Sequence, residues 1–142
     1  MENDLANLVT VLNLDPVEAD QASLKDIFGR FAWTLTSSHT AEAALDLLRT
    51  NRIPILFCES DLRPGMWQKM LEQVMSFPEP PYLIVTSRLA DDRLWAEALN
   101  LGAYDVLSKP FDKTEVIRIV SSAWRRWRSR GWDTGRAMAS VA

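Results

Sequence analysis

The 142-residue chain holds one cysteine, Cys58, so no internal disulfide staples its fold. That thiol lies inside an apolar run, where a free cysteine behaves as a small hydrophobe. Nowhere does the chain approach the ~20 consecutive apolar residues of a membrane-spanning helix. Its start, MENDLANLVTVLNL, sets acidic rather than basic residues ahead of the first apolar run. This excludes a signal-peptide reading and leaves a cytoplasmic location without a membrane partner as the expectation. Internal repeats and low-complexity stretches are absent. The one histidine, His39, has no ligand spacing around it and is expected in solvent. A glycine-rich phosphate loop is missing as well. The stretch Leu14-Asp15-Pro16-Val17-Glu18 cannot cradle a dinucleotide or nucleoside triphosphate, which removes those enzyme classes.

What remains is an ordinary globular composition, 47% hydrophobic and 25% charged, at a length that suits one domain. The net charge of -3 conceals an asymmetry: residues 112–142 carry seven basic and three acidic groups, against nine and sixteen in the first 111. A basic tail can mark an anionic partner. Arginines also meet the negative end of a helix dipole favourably, and that plainer reading is preferred.

Hydrophobic periodicity divides the chain into alternating strands and helices. Leu8 to Leu14 is an apolar, β-branched strand broken by Asp15-Pro16, and a helix follows over about Val17–Phe28. A second strand is expected over Phe31–Thr36, then a helix with Ala41, Ala44, Leu45 and Leu48 on one face, capped by Thr40. The stretch Ile53 to Trp67 organises the rest: Ile55-Leu56-Phe57-Cys58 has the unbroken apolarity of a strand buried on both faces, and it stops at Glu59-Ser60-Asp61. Helices at Met66–Met75 and about Asp91–Leu101, strands at Tyr82–Val85 and Asp105–Leu107, and a long amphipathic helix opened by Asp112-Lys113-Thr114-Glu115 complete the series. Five strands alternating with five helices predict an α/β, flavodoxin-like, doubly wound parallel sheet of order 2-1-3-4-5. Ligand chemistry in such a sheet sits beyond the strand C-termini, which makes Glu59, Ser60 and Asp61 the first candidates.

Three motifs in order, Pro64-Gly65-Met66, Thr86-Ser87 and Gly102 through Phe111 with Ser108-Lys109-Pro110, resemble the receiver domain of bacterial two-component response regulators. The resemblance covers about residues 8–128 and implies a receiver-like domain over 1–130 followed by a flexible tail, 131–142. It also implies a phosphorelay module with an acidic pair after the first strand and a phosphoaccepting aspartate after the third, both around magnesium.

The chain departs from that pattern. The acidic pair aligns with Asn13-Leu14, and Asp15 falls one position later. Counting along the third strand puts Glu59 at the acceptor position, and counting back from Pro64 puts Ser60 there; Asp61 ranks third. A one-residue slip turns a side chain to the other face, so only one can hold. Glu59 could reach toward Thr86 and Lys109, either as a partial mimic of a phosphoaspartate or as an ion pair that holds loops together. Val106 stands where the family places an aromatic switch residue, and Tyr104 is expected at the loop surface.

The expected function is therefore a degenerate, pseudo-receiver signalling module without autophosphorylation activity. It acts by contact with a protein partner or a second copy through the fourth helix, fifth strand and fifth helix. Trp95, Trp124 and Trp127 are the interface candidates, with Trp124 or Trp127 expected buried and the other partly exposed. No cofactor is expected; Asp15 and Glu59 are the metal ligands if one binds. One alternative is a phosphorylation-competent receiver that uses a nearby carboxylate, needs magnesium and serves an upstream histidine kinase. Another, ranked lower, is nucleic-acid contact through Arg125, Arg126, Arg128 and Arg130, with Trp127 and Trp132 as stacking surfaces.

Overall fold

The computed structural model describes residues 9–141, with side chains through residue 130. Its strands are β1 (Thr10–Leu14), β2 (Thr34–Ser38), β3 (Ile55–Glu59), β4 (Tyr82–Ser87) and β5 (Asp105–Ser108). The helices are α1 (Glu18–Phe28), α2 (Ala41–Thr50), α3 (Met66–Met75), α4 (Asp92–Leu101) and α5 (Lys113–Val141). All strand pairs are parallel and the order is 2-1-3-4-5, as the alternation of elements predicts.

Strand β3 is buried along its whole length because helices cover both faces of the sheet. On one face Leu12, Leu14, Leu56, Cys58, Leu83 and Val85 pack against α2, α3 and α4. On the other Val11, Ile55, Phe57, Ile84 and Leu107 meet Leu24 and Phe28 of α1 and Val116, Ile119 and Val120 of α5. The two-residue period of the strands thus assigns every side chain to one layer or the other. Side chains 15, 59, 86 and 109 continue the α1/α5 layer at the C-terminal edge, and that parity positions the site.

Local chemistry explains most element boundaries. Thr40 caps α2 by accepting from the Ala43 N–H, and Asp91 caps α4 by accepting from the Leu94 N–H. Gly102 closes α4 at φ +108°, a left-handed conformation that side chains with a Cβ resist. Gly29 is different: it ends α1 at φ -62°, in the right-handed region. The second strand begins at Thr34 rather than Phe31. Phe31 and Trp33 stack at 4.7 Å, and Trp33 meets Phe28 edge-on at 5.6 Å, so these aromatics close the turn after α1 instead of entering the sheet. The polar Ser37-Ser38 then joins β2 alongside Asn13 and Leu14. Helix α5 is continuous across residue 130, and the expected flexible tail, 131–142, lies outside the described side chains.

Candidate functional site

Five segments converge at the C-terminal edge. Asp15 follows β1, held by its N–H to the Ser38 carbonyl at 3.0 Å, and Lys109 follows β5, its N–H on the Ser87 carbonyl at 2.9 Å. Glu59 ends β3 in register with Thr86 of β4. Asp20 comes from the first turn of α1, and Arg88 from the loop after β4.

Lys109 is the centre. Its ammonium donates to Asp15 Oδ2 at 2.6 Å, to Asp20 Oδ2 at 3.0 Å and to Glu59 Oε1. The remaining carboxylate oxygens are engaged too. Asp15 Oδ1 accepts from the Val17 N–H at 2.9 Å, and Asp20 Oδ1 from Arg88 Nη2 at 2.6 Å. Glu59 Oε2 accepts from the Asp61 N–H at 3.2 Å and from the Ser60 hydroxyl at 3.3 Å. Each of the six oxygens therefore has a protein donor. Burial works against the Lys109 charge, but hydrogen bonds to Asp15, Glu59 and Asp20 prevail and hold its pKa above the ordinary lysine value. Beside it, burial first, and then the Glu59 and Asp15 charges, push the Cys58 thiol up to about 12, so it stays a protonated, unreactive hydrophobe at neutral pH.

Of the three residues after the apolar run, Glu59 alone reaches Lys109 among the described residues. Ser60 is half-buried, and Asp61 is exposed with its N–H turned to Glu59. Asn13 is buried and donates through Nδ2 to Gln21 Oε1 at 2.8 Å, while Leu14 joins the opposite core layer. Gln21 also donates to the carbonyls of Asn13, Asp15 and Ser38, which ties β1 to the end of β2. Thr86 Oγ1 and Asn13 Oδ1 are buried without a partner among the described residues.

Asp15, Asp20 and Glu59 place one oxygen each within 4.8 Å of one another, a hard-donor set of the kind magnesium takes. The arrangement does not fit that ion. No carboxylate oxygen is uncommitted, and the ammonium already bridges all three groups.

The tryptophans separate. Trp95 on α4 is 38% exposed, and Leu99, one turn on, is 44% exposed. Trp124 is half-buried against the α1/α5 core layer. Trp127 is buried: Arg52 lies 5.5 Å from its ring, Arg130 lies 4.8 Å away, and Tyr82 meets it edge-on at 6.5 Å. Its ring therefore offers neither an interface anchor nor a stacking surface for bases. Trp132 lies outside the described side chains. Tyr104 is half-buried rather than at the loop surface, because its hydroxyl bonds Ser122 of α5 and its ring packs on Tyr82 at 5.0 Å. Val106 is buried in the α2/α3/α4 layer. His39 is exposed and pairs with Glu18 at 2.6 Å.

Sequence reasoning missed Asp20, Gln21 and Arg88. The signal for the first two was available. Asp20 and Gln21 lie in the first turns of α1, where a side chain on the sheet-facing side overhangs the end of β1. Arg88 had no such signal, since its partner lies 68 residues away.

No family model matches the chain. Protein CcdB of Bacillus subtilis (strain 168) is 24% identical over 115 residues, 80% of this chain and 96% of that protein. The two-component response regulator-like APRR1 of Arabidopsis thaliana is 28% identical over 119 residues, which is 79% of this chain and only 19% of that protein's length. Among solved structures, the signal receiver domain of an HD domain-containing protein from Pseudomonas fluorescens Pf-5 superposes with a TM-score of 0.74 at 24% identity, covering 84% of this chain and 97% of that one. The chain resembles response regulator receiver domains, and its fold is theirs.

Proposed function

We propose that this chain, a signal-transduction module with the receiver fold, is degenerate at the phosphoacceptor site and works by protein contact. The observation that carries the reading is Glu59. It sits at the end of β3, on the same face as Thr86 and Lys109, where the family resemblance calls for an aspartate, and its carboxylate is spent on the Lys109 ammonium. A carboxylate so engaged is a poor nucleophile, and the cation that would neutralise a transferring phosphoryl group has no free ligand there. Asp61, the carboxylate a competent receiver could use instead, is exposed and stands apart from the ammonium-centred cluster. Intact mass after incubation with acetyl phosphate and magnesium tests the point. The wild type should gain nothing, and a one-phosphate gain would sink the degenerate reading.

The contact surface in this proposal is α4, β5 and α5. Trp95 and Leu99 supply exposed apolar area one turn apart on α4, and Arg118 and Arg125 stand exposed on α5, so an apolar anchor has a polar rim. The partner is a protein, either another chain or a second copy. Trp95→Ala should weaken that association by about 2 kcal/mol or more, roughly thirtyfold, because buried tryptophans dominate such contacts. Sedimentation of the pure chain and capture from a cell extract measure it, with circular dichroism confirming the fold. Wild-type association in the variant would remove this face. The nucleic-acid alternative loses support from the burial of Trp127.

A further inference from the structure

The carboxylate cluster is a cation cage whose cation is built into the chain. Asp15, Asp20 and Glu59 come from three separate segments and converge to within 4.8 Å, a spacing that mutual repulsion opposes unless positive charge lies between them. That charge is Lys109, whose side chain has no exposure at all and whose three protons are matched by three carboxylates. Arg88 adds a second positive group from the rim, its side chain 56% exposed, and binds the outward oxygen of Asp20. Three negative and two positive charges leave the cluster one short of neutral.

We infer that the Lys109 ammonium permanently occupies the place of a divalent cation, so that wild-type protein excludes divalent metal and removal of the lysine unmasks a metal site made by Asp15, Asp20 and Glu59. This deepens the degenerate-site reading and rests on it. Asp20 is what makes the exchange complete. Without it the ammonium would keep a proton, and the cage an opening, for water or metal. Asn13 Oδ1, on β1 two residues before Asp15 and on the same face of the strand, is buried and has no donor among the described residues.

The test is Mn2+ titration followed by the loss of its free-ion electron paramagnetic resonance signal. Manganese serves as the visible stand-in for magnesium, since both prefer oxygen ligands. Wild type should leave the signal undiminished at millimolar Mn2+. Lys109→Met should take up one ion at least about tenfold more tightly, and Lys109→Met with Glu59→Gln should lose that gain. Wild-type binding equal to that of the variant, or a folded Lys109→Met that binds nothing, overturns the inference. If Lys109→Met is unfolded without metal, Mn2+ must restore its circular dichroism, and failure to do so also overturns it. Phosphoryl uptake is scored by mass on the same samples. A wild type that binds Mn2+ without gaining mass defeats this inference alone, whereas a mass gain defeats the degenerate reading.

Discussion

Lys109→Met lowers the unfolding free energy by about 3–5 kcal/mol, because it removes one partner from a buried ion cluster and leaves the others uncompensated. For a chain of this length that is a fall in Tm on the order of 10–20 °C. Methionine keeps the length and apolar bulk of the lysine stem, so packing loss contributes little. Three carboxylates would then face one another with Arg88 alone, from the exposed rim, to offset them. The same contacts set a pH dependence. The folded-state pKa of Lys109 lies above the ordinary lysine value of 10.5, so its stabilising contribution is complete below about that pH and is lost as pH rises through the folded pKa. Urea titrations of wild type and variant across the alkaline range should therefore converge as pH climbs past 10.5. A stability gap that stays constant through that window, or a variant as stable as wild type at neutral pH, would contradict the role given to the cluster.

Trp127→Ala has an effect of similar size for a different reason. A buried tryptophan cut to alanine costs about 3–5 kcal/mol in lost transfer energy and residual cavity. Here it also strips the ring from between Arg52 and Arg130 and from the edge of Tyr82. Those groups fasten α5 to the start of β4, where Arg130 also donates to the Pro80 carbonyl at 2.6 Å. Trp124→Ala, half-buried, should cost clearly less. Thermal unfolding of the two variants side by side checks the order. A Trp127→Ala protein within about 1 kcal/mol of wild type would return that ring to the list of surface candidates.

The architecture was legible because each layer leaves a period in the sequence. The unbroken apolarity of Ile55 to Cys58 fixed a central strand, and Gly102 fixed the end of α4. The site was legible only along the strands. Strand parity carried Asp15, Glu59, Thr86 and Lys109 to one face, and apolar burial ranked Glu59 above Ser60 for the acceptor position; Glu59 is the one of the two that bonds Lys109. What escaped came from helices and loops. Asp20 escaped because periodicity does not distinguish a polar residue facing water from one that overhangs a strand end, and helical spacing sets Gln21 in line with Leu24, Ile27 and Phe28 without revealing its bonds to the ends of β1 and β2. The start of β2 escaped because β-propensity favours Phe31 and Trp33 in a strand, and the aromatic stack after α1 overrode it. Trp127 and Trp124 lie three residues apart on a helix, so pattern alone could say that one was buried but not which.

Helix α4 buries only one residue, Ala98. Its neighbours in the fold hold on by several: α3 by Trp67, Met70, Leu71 and Val74, and α2 by Ala44, Leu45 and Leu48. A helix held by one fully buried methyl-sized side chain, a partly buried Leu94 and two good caps opens at a fraction of the global unfolding free energy. Its amides should thus exchange with solvent ahead of those in every other helix of the layer, and a partner that closes over Trp95 and Leu99 would be felt first as a slowing of that exchange.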